Sequence, residues 1–380
     1  MEFAMSERKK KKVVFLIDCL YGDAGGGSER QFLQTYAQYE AIGIDPYVVF
    51  LKDRKVHPSI RWLRPPLTLG LESFAHPQAI VSLYRLWRFL RREHIEIVHT
   101  LFDDATILGA LLKRFCPKIT LIGSQRNLGY ARRWPKSVLA GMALRTADLV
   151  VVNASIIRDF VIKDSRVSPR RVIVINNLYE PKDSSSSEAE SIVRDLRRQH
   201  DVLVLTVANL RPIKGIEDLI EAARQTRDNP RIGYVIIGDG ELKGHYNNLI
   251  QEKGLTDQVH LLGYRTDTDS FLRHVDIGLL PSRSEGLSNA LVEYMFADLP
   301  IIATDVGGNR EALDDGASGR LVPACNPPVL AQTILEFANN PEEARALGKR
   351  AGESARRRYD RQLILNAFRS LYLTGSNSSQ

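Results

Sequence analysis

Apolar residues in this chain come in short, nearly unbroken runs. In the first half they are "KVVFLID", "PYVVFL", "IEIVHT", "ITLIGS", "LVVVNA" and "VIVINN"; in the second, "VLVLTVANL", "IGYVIIGDG", "QVHLLGY", "VDIGLLPS" and "LPIIATDVGG". Stretches with helical spacing separate several of them. β-Branched runs without inside–outside alternation read as strands buried on both faces, and their alternation with helices predicts parallel sheets. Between the two series lies "EPKDSSSSEAE", residues 180–190, polar and without apolar periodicity, which reads as an exposed connection. The pattern predicts an α/β chain with two doubly wound parallel sheets. A basic tail without regular structure is expected over 1–12, a first domain over 13–180, a polar linker over 181–199, a second domain over 200–355 and helical structure over roughly 328–372. Ligands of such sheets bind beyond the carboxyl ends of the strands, so two facing sheets predict a site in the cleft between them.

A length of 380 residues, with 44% hydrophobic and 26% charged, suits two soluble domains with large cores. No apolar run reaches the roughly eighteen residues a bilayer span needs. Val13 to Ile17 is too short for the apolar core of a secretory signal. Cys19, Cys116 and Cys325 are scattered, with no CxxC pair or neighbouring histidine, which points to a reducing compartment and away from a zinc site. The net charge is +7, of which residues 1–12 supply +3 from five basic and two acidic side chains. That excess reads either as a solubilising tail and basic surface or as attraction to an anionic membrane or a phosphorylated substrate. No basic–aromatic nucleic-acid motif accompanies it.

Four stretches at strand ends could carry chemistry. "SRSEGLSNALVEYM", residues 282–295, puts Glu285 in a loop and Glu293 inside the helix that follows. Ser288 or Asn289 can cap that helix. Its first amides, near Leu287, Ser288 and Asn289, would attract a phosphate, and Gly286 would let it approach closely. Glu293 is placed to accept hydrogen bonds from a diol such as ribose. "ATDVGGNREAL", residues 303–313, offers Gly307, Gly308 and Glu311 at a second strand-to-helix junction. "ANLRPIKGIEDLI" offers Arg211 and Lys214, two cations that suit a diphosphate. "DAGGGSERQFL" offers Gly25, Gly26 and Gly27, but Arg30 stands where the GxGxxG fingerprint requires its third glycine, and no GxxxxGK[ST] loop is present. His99, ending "IEIVHT", reads as a ligand-edge residue or as a satisfied structural histidine. Taken alone, each stretch also fits an ordinary strand-to-helix turn with solvated charges.

Taken together, Glu285–x7–Glu293, "RPIKG" (211–215), "VGGNRE" (306–311) and "GGGSER" (25–30) resemble the retaining GT-B glycosyltransferases of family 4, the glycosyl transferases of group 1. The resemblance implies two Rossmann-like domains facing across a cleft, with residues 356–380 as a helix crossing back to the first domain and ending in disorder. It implies a nucleotide-diphosphate sugar donor, UDP- before GDP-, and a saccharide or lipid-linked acceptor in surface glycan synthesis. Glu285 would contact the donor sugar and Glu293 the ribose. Arg211 and Lys214 would hold the diphosphate, Gly26 and Gly27 would close on phosphate or sugar, and Gly263 and Tyr264 would line the base. No metal or other cofactor is expected, and no nucleic acid.

Two departures stand out. Relatives often read "EGFGLP" where this chain reads "EGLSNA", and a histidine often stands where this chain has Arg126 in "GSQRNLGY". Arg126 and Asn127 therefore join His99 on the acceptor or sugar side. In "AIVSLYRLWRFLRREH" the spacing puts Ile80, Leu83, Trp87 and Leu90 on one helix face and Arg85, Arg88 and Arg92 on another. That pattern fits either a helix packed on its sheet or contact with an anionic membrane; the latter implies a cytoplasmic enzyme, peripheral on the inner membrane face. A nucleotide-sugar epimerase, a non-catalytic nucleotide-sugar-binding protein and an NAD dehydrogenase remain as other readings, the last supported by Asp53 at the end of the second strand and opposed by the failed glycine fingerprint.

Overall fold

The computed structural model describes residues 10–20, 26–53, 60–74, 76–129, 134–181, 186–229 and 231–374. The tail up to Lys9, Gly25 and positions 182–185 of the serine-rich stretch lie outside the described residues. The chain divides into two compact units, residues 1–178 with 361–380 and residues 179–360.

The first unit is built on strands β1 (Lys11–Ile17), β2 (Ile44–Phe50), β3 (Leu67–Thr68), β4 (Ile97–Leu101), β5 (Thr120–Gln125), β6 (Leu149–Val152) and β7 (Val172–Val174). They form one parallel sheet ordered β3-β2-β1-β4-β5-β6-β7. The second unit holds β8 (Val202–Val207), β9 (Ile232–Ile237), β10 (Val259–Gly263), β11 (Ile277–Leu280), β12 (Ile301–Thr304) and β13 (Arg320–Val322). These are also parallel, ordered β10-β9-β8-β11-β12-β13. Both sheets are doubly wound, as the apolar runs predict. Their strand order reverses beside β1 and β8, which opens a crevice at the carboxyl edge between β1 and β4 and between β8 and β11.

The second unit's core shows why runs such as "IGYVII" are apolar throughout. Tyr234 and Ile236 of β9 pack in one cluster with Leu219 and Ile220 of the helix Ile216–Gln225 and with Ile334 and Phe337 of the helix Pro327–Asn339. Val235 and Ile237 of the same strand are equally buried. A strand covered on both faces has no solvent side for a polar residue to occupy.

The structure departs from the sequence reading in four places. The strand begins inside the expected tail: Lys11 and Lys12 pair with Ile44 and Asp45 as the first rungs of β1. Lys11 Nζ lies 2.8 Å from Glu96, and Lys12 Nζ donates to the Glu93 carbonyl at 2.8 Å, so these lysines are held by the unit itself. The expected linker contains the helix Ser187–Arg197, capped by the Ser186 hydroxyl and seated on Ala189, Val193 and Leu196. Two short edge strands, β3 and β13, were not anticipated. The helix Gln78–Arg92 turns Ser82, Leu86 and Leu90 inward and leaves Ile80 74% exposed, so its packing face is rotated from the one the spacing predicted.

The C-terminal stretch forms three helices, Pro327–Asn339, Pro341–Arg358 and Arg361–Thr374. The last belongs to the first unit, where Tyr372 meets Phe15 of β1 edge-on with ring centroids 6.0 Å apart.

Candidate active site

The second sheet's reversal brings two loops together at its carboxyl edge, one after β8 and one after β11. The first carries Arg211 and Lys214, and the second carries Glu285. Lys214 Nζ donates to Glu285 Oε1 at 2.5 Å, and Ser282 Oγ donates to the same oxygen at 2.7 Å. The carboxylate is buried, at 7% exposure. Among the described residues, Oε2 of Glu285 takes no hydrogen bond. Arg211 is exposed at the start of the short 3-10 turn Pro212–Lys214.

This loop pair is rigid for stated reasons. Gly215 has φ +65°, and a Cβ there would lie 2.0 Å from the Pro281 carbonyl oxygen, so no other residue fits between the loops. Arg283 N donates to the Ile213 carbonyl at 2.8 Å, and its guanidinium grips both Asp218 and Glu217. A third loop braces the glutamate from the other side. Gly307, at φ +56°, passes so close that a Cβ would come 2.0 Å from the Glu285 carbonyl oxygen, and Gly308 N donates to the Gly286 carbonyl at 2.7 Å. The glycine pair of "VGGNRE" therefore shapes the backbone that carries Glu285.

Glu293 lies in the helix Asn289–Phe296 and is 4% exposed. Next to it, the Tyr294 hydroxyl accepts a hydrogen bond from Val207 N at 2.7 Å, which ties the helix to the end of β8. Ser288 holds the N-cap position, but its hydroxyl makes no capping bond, contrary to the expectation. Its backbone is extended there, at the point where the helix begins. Gly286 and Leu287 are buried between Glu285 and this helix, and Asn289 opens it. Gly263 closes β10 at φ +75° with its carbonyl accepting from Gly238 N at 2.8 Å, and Tyr264 beside it is 40% exposed.

The first unit holds the remaining candidates. Gly26 precedes the helix Gly27–Tyr36 in extended conformation, with open space where a Cβ would stand. His99 sits in the middle of β4, not at its end, and is 2% exposed. Its Nδ1 is 2.7 Å from the Tyr372 hydroxyl and its Nε2 is 2.7 Å from Ser124 Oγ. Burial, with the Arg126 charge nearby, pushes its pKa down to about 3. It is the satisfied structural histidine of the two readings. Asn127 Oδ1 accepts from Gly129 N at 2.8 Å and from Gln125 Nε2 at 3.1 Å, so this side chain shapes the turn after β5. Arg126 is half-buried and donates from Nη1 to Asn177 Oδ1 at 3.1 Å.

Ser282, Arg283 and Thr304 escaped the sequence reading. Thr304 Oγ1 donates to the Ser282 carbonyl at 2.5 Å, fixing the residue that orients Glu285. A hydroxyl three positions before a loop carboxylate was the only signal for Ser282, and none existed for Thr304.

Family profiles match both units: one described as Glycosyltransferase Family 4 over residues 25–182, the other as Glycosyl transferases group 1 over residues 188–354. The chain belongs to glycosyltransferase family 4. This family 4 glycosyltransferase is 28% identical over 299 residues to an uncharacterized glycosyltransferase of Methanocaldococcus jannaschii, covering 76% of this chain and 78% of the relative. It is 27% identical over 273 residues to the UDP-Gal:alpha-D-GlcNAc-diphosphoundecaprenol alpha-1,3-galactosyltransferase of Escherichia coli, covering 68% of this chain and 69% of that one. The crystal structure of Anabaena HepE in complex with UDP superposes with a TM-score of 0.79 at 19% identity, covering 94% of this chain and 98% of that one. At that identity the likeness shows the fold, which is GT-B.

Proposed function

We propose that this enzyme is a retaining hexosyltransferase that moves a sugar from a UDP-sugar to a saccharide or lipid-linked acceptor in surface glycan synthesis. The observation that carries the reading is the convergence of Lys214 and Ser282 on one oxygen of the buried Glu285. With Oε1 occupied, Oε2 remains to accept a hydroxyl of the donor sugar. Lys214 then lies between that carboxylate and the place where charge develops on the departing phosphate. Preorganised cations at such a point supply the usual electrostatic share of catalysis. Arg211 adds a second charge. The amides of Leu287, Ser288 and Asn289 take a phosphate at the helix start, Glu293 takes the ribose, and Gly263 and Tyr264 flank the base. Gly26 and Gly27 receive donor phosphate or sugar on the first unit's side.

In the retaining reaction the bond from the anomeric carbon to UDP breaks and the bond to the acceptor oxygen forms on the same face. The acceptor proton leaves on the departing phosphate. This reading needs no metal, because two cations and a helix start offset the diphosphate. A UDP donor is favoured over GDP because the E. coli relative is named for UDP-Gal and the HepE structure contains UDP.

The acceptor end of the reading is an anionic membrane face on the cytoplasmic side. Among the described residues, every exposed large apolar side chain except Tyr264 lies in the first unit. On the helix Gln78–Arg92, Ile80, Val81 and Tyr84 are exposed at helical spacing beside Arg88 and Arg92. Apolar side chains flanked by arginines suit an anionic lipid interface. The E. coli relative is named for a diphosphoundecaprenol-linked acceptor. No helix among the described residues is long and apolar enough to cross a membrane.

The test is donor turnover over a panel of UDP- and GDP-sugars, with melting curves in UDP, GDP and ADP. UDP should raise the melting temperature by mass action, about 2.7 kcal/mol of added stability at a hundredfold excess over Kd. Glu285→Gln and Lys214→Ala should each lower kcat by roughly 10²–10³-fold while UDP still binds. Unchanged turnover in both variants would reject the site.

A further inference from the structure

Arg126 stands at the carboxyl edge of β5, where sheets of this kind receive ligands. Asn153 and Asn177 follow β6 and β7, the next two strands in the sheet. Asn177 Oδ1 accepts from both neighbours, Arg126 Nη1 at 3.1 Å and Asn153 Nδ2 at 3.2 Å. No ion pair to a carboxylate is made by Arg126 among the described residues. The groups that interact with it electrostatically are neutral: Tyr39, Tyr372 and His99, whose ring burial keeps uncharged. Two polar atoms of the cluster are left over, for Arg126 Nε and Asn153 Oδ1 are buried without a partner. Arg126 Nη2 also bonds to no described residue.

A half-buried guanidinium with its Nε buried and unpartnered, and with no counter-charge among the described residues, is costly to the unit that holds it. Two other partly buried cations at carboxyl edges of the sheets have an acid beside them: Lys214 has Glu285, and Lys52 has Asp104. Arginine's planar fork matches a carboxylate or a phosphate oxygen pair, and a bound anion would supply both the missing charge and the missing acceptors. Asn153 Oδ1 in turn needs a donor, which a hydroxyl next to the anion would provide.

We propose that Arg126 binds an anionic group of the acceptor, a carboxylate or a phosphate that neighbours a hydroxyl. The proposal rests on the reading that the first unit receives the acceptor. It makes Arg126 a specificity-determining residue: a neutral sugar would leave the guanidinium uncompensated and be a poor acceptor.

Calorimetric titration of the full chain saturated with UDP tests this, with inorganic phosphate in one arm and malonate in the other. With UDP on the donor site proposed above, that site is removed from competition, and the loss of anion binding in the Arg126 variants assigns the remainder to this cluster. Wild type should bind at least one of the two, and the tighter arm identifies phosphate or carboxylate as the acceptor's group. Arg126→Gln should weaken that binding at least tenfold, with UDP affinity and melting temperature as controls on folding. Arg126→Lys, which keeps the charge and loses the fork, should fall between. Failure of both anions to bind UDP-saturated wild type, or equal binding in wild type and Arg126→Lys and Arg126→Gln, would overturn the proposal. Failure of UDP itself to bind would strike the donor assignment instead, and the anion titration would then be read on the unliganded chain.

Discussion

His99 shows what burial does to a side chain that titrates near neutrality in water. In the unfolded chain it takes a proton below about 6.5; in the folded first unit its pKa is about 3. A depressed folded pKa contributes stability that is present above the unfolded value and lost as pH falls from about 6.5 towards 3, by up to about 1.4 kcal/mol per pH unit. Asp18, raised from 3.8 to about 7 chiefly by burial and then by Asp104, acts with the opposite sign, losing its contribution as pH rises through that window. The wild-type curve alone therefore mixes the two. Urea unfolding at pH 7 and pH 4.5 should show a smaller acid loss in His99→Gln than in wild type, and an equal loss would refute the assignment. At this scale the sequence named Glu285, Lys214 and Arg126 by their type and by their place after strands. It did not reveal that Ser282 shares a carboxylate oxygen with Lys214, or that Gly307 lies against the Glu285 carbonyl. Those contacts join loops dozens of residues apart, and only the strand order brings them together.

Among the elements, the long central strands were legible because both of their faces are covered, so nothing polar interrupts the run. β3 and β13 were not: β3 has two half-buried residues, and β13 opens on the exposed Arg320, so neither makes an apolar run like that of the equally short β7. The helix Ser187–Arg197 was hidden by its own composition: three apolar positions, Ala189, Val193 and Leu196, suffice to seat it, and the serines before it read as loop. For Gln78–Arg92 the amphipathic spacing was evident, but the face was not. Leu86 and Leu90 are buried, while Ile80 and Tyr84 are exposed. If that outer face meets lipid, cosedimentation with vesicles rich in anionic phospholipid should fall several-fold in an Ile80→Ser, Tyr84→Ser double variant with donor hydrolysis unchanged. Equal sedimentation with neutral and anionic vesicles would remove the membrane from the reading.

For the molecule as a whole, the repeated strand–helix alternation told both the fold class and the number of sheets. The ownership of the last helix is a matter of tertiary packing. Ile364, Leu365, Phe368, Leu371 and Tyr372 of Arg361–Thr374 are all buried, and Tyr372 closes the His99 hydrogen bond. Each such side chain contributes about 1.5–3 kcal/mol on burial, so together they rival the whole stability of a typical domain, about 5–15 kcal/mol. A chain stopped after Asp360 should therefore retain a cooperative second-unit transition by calorimetry and lose that of the first. Two intact transitions would contradict the packing.

This arrangement also constrains the order of events during synthesis. On the ribosome the amino-terminal sheet emerges first yet must wait, with Tyr39 and Phe15 uncovered, until the complete second sheet has followed it out of the exit tunnel. The half of the protein that is made earliest is thus the half that matures last, and that interval is when nascent chains are most exposed to chaperones and to one another.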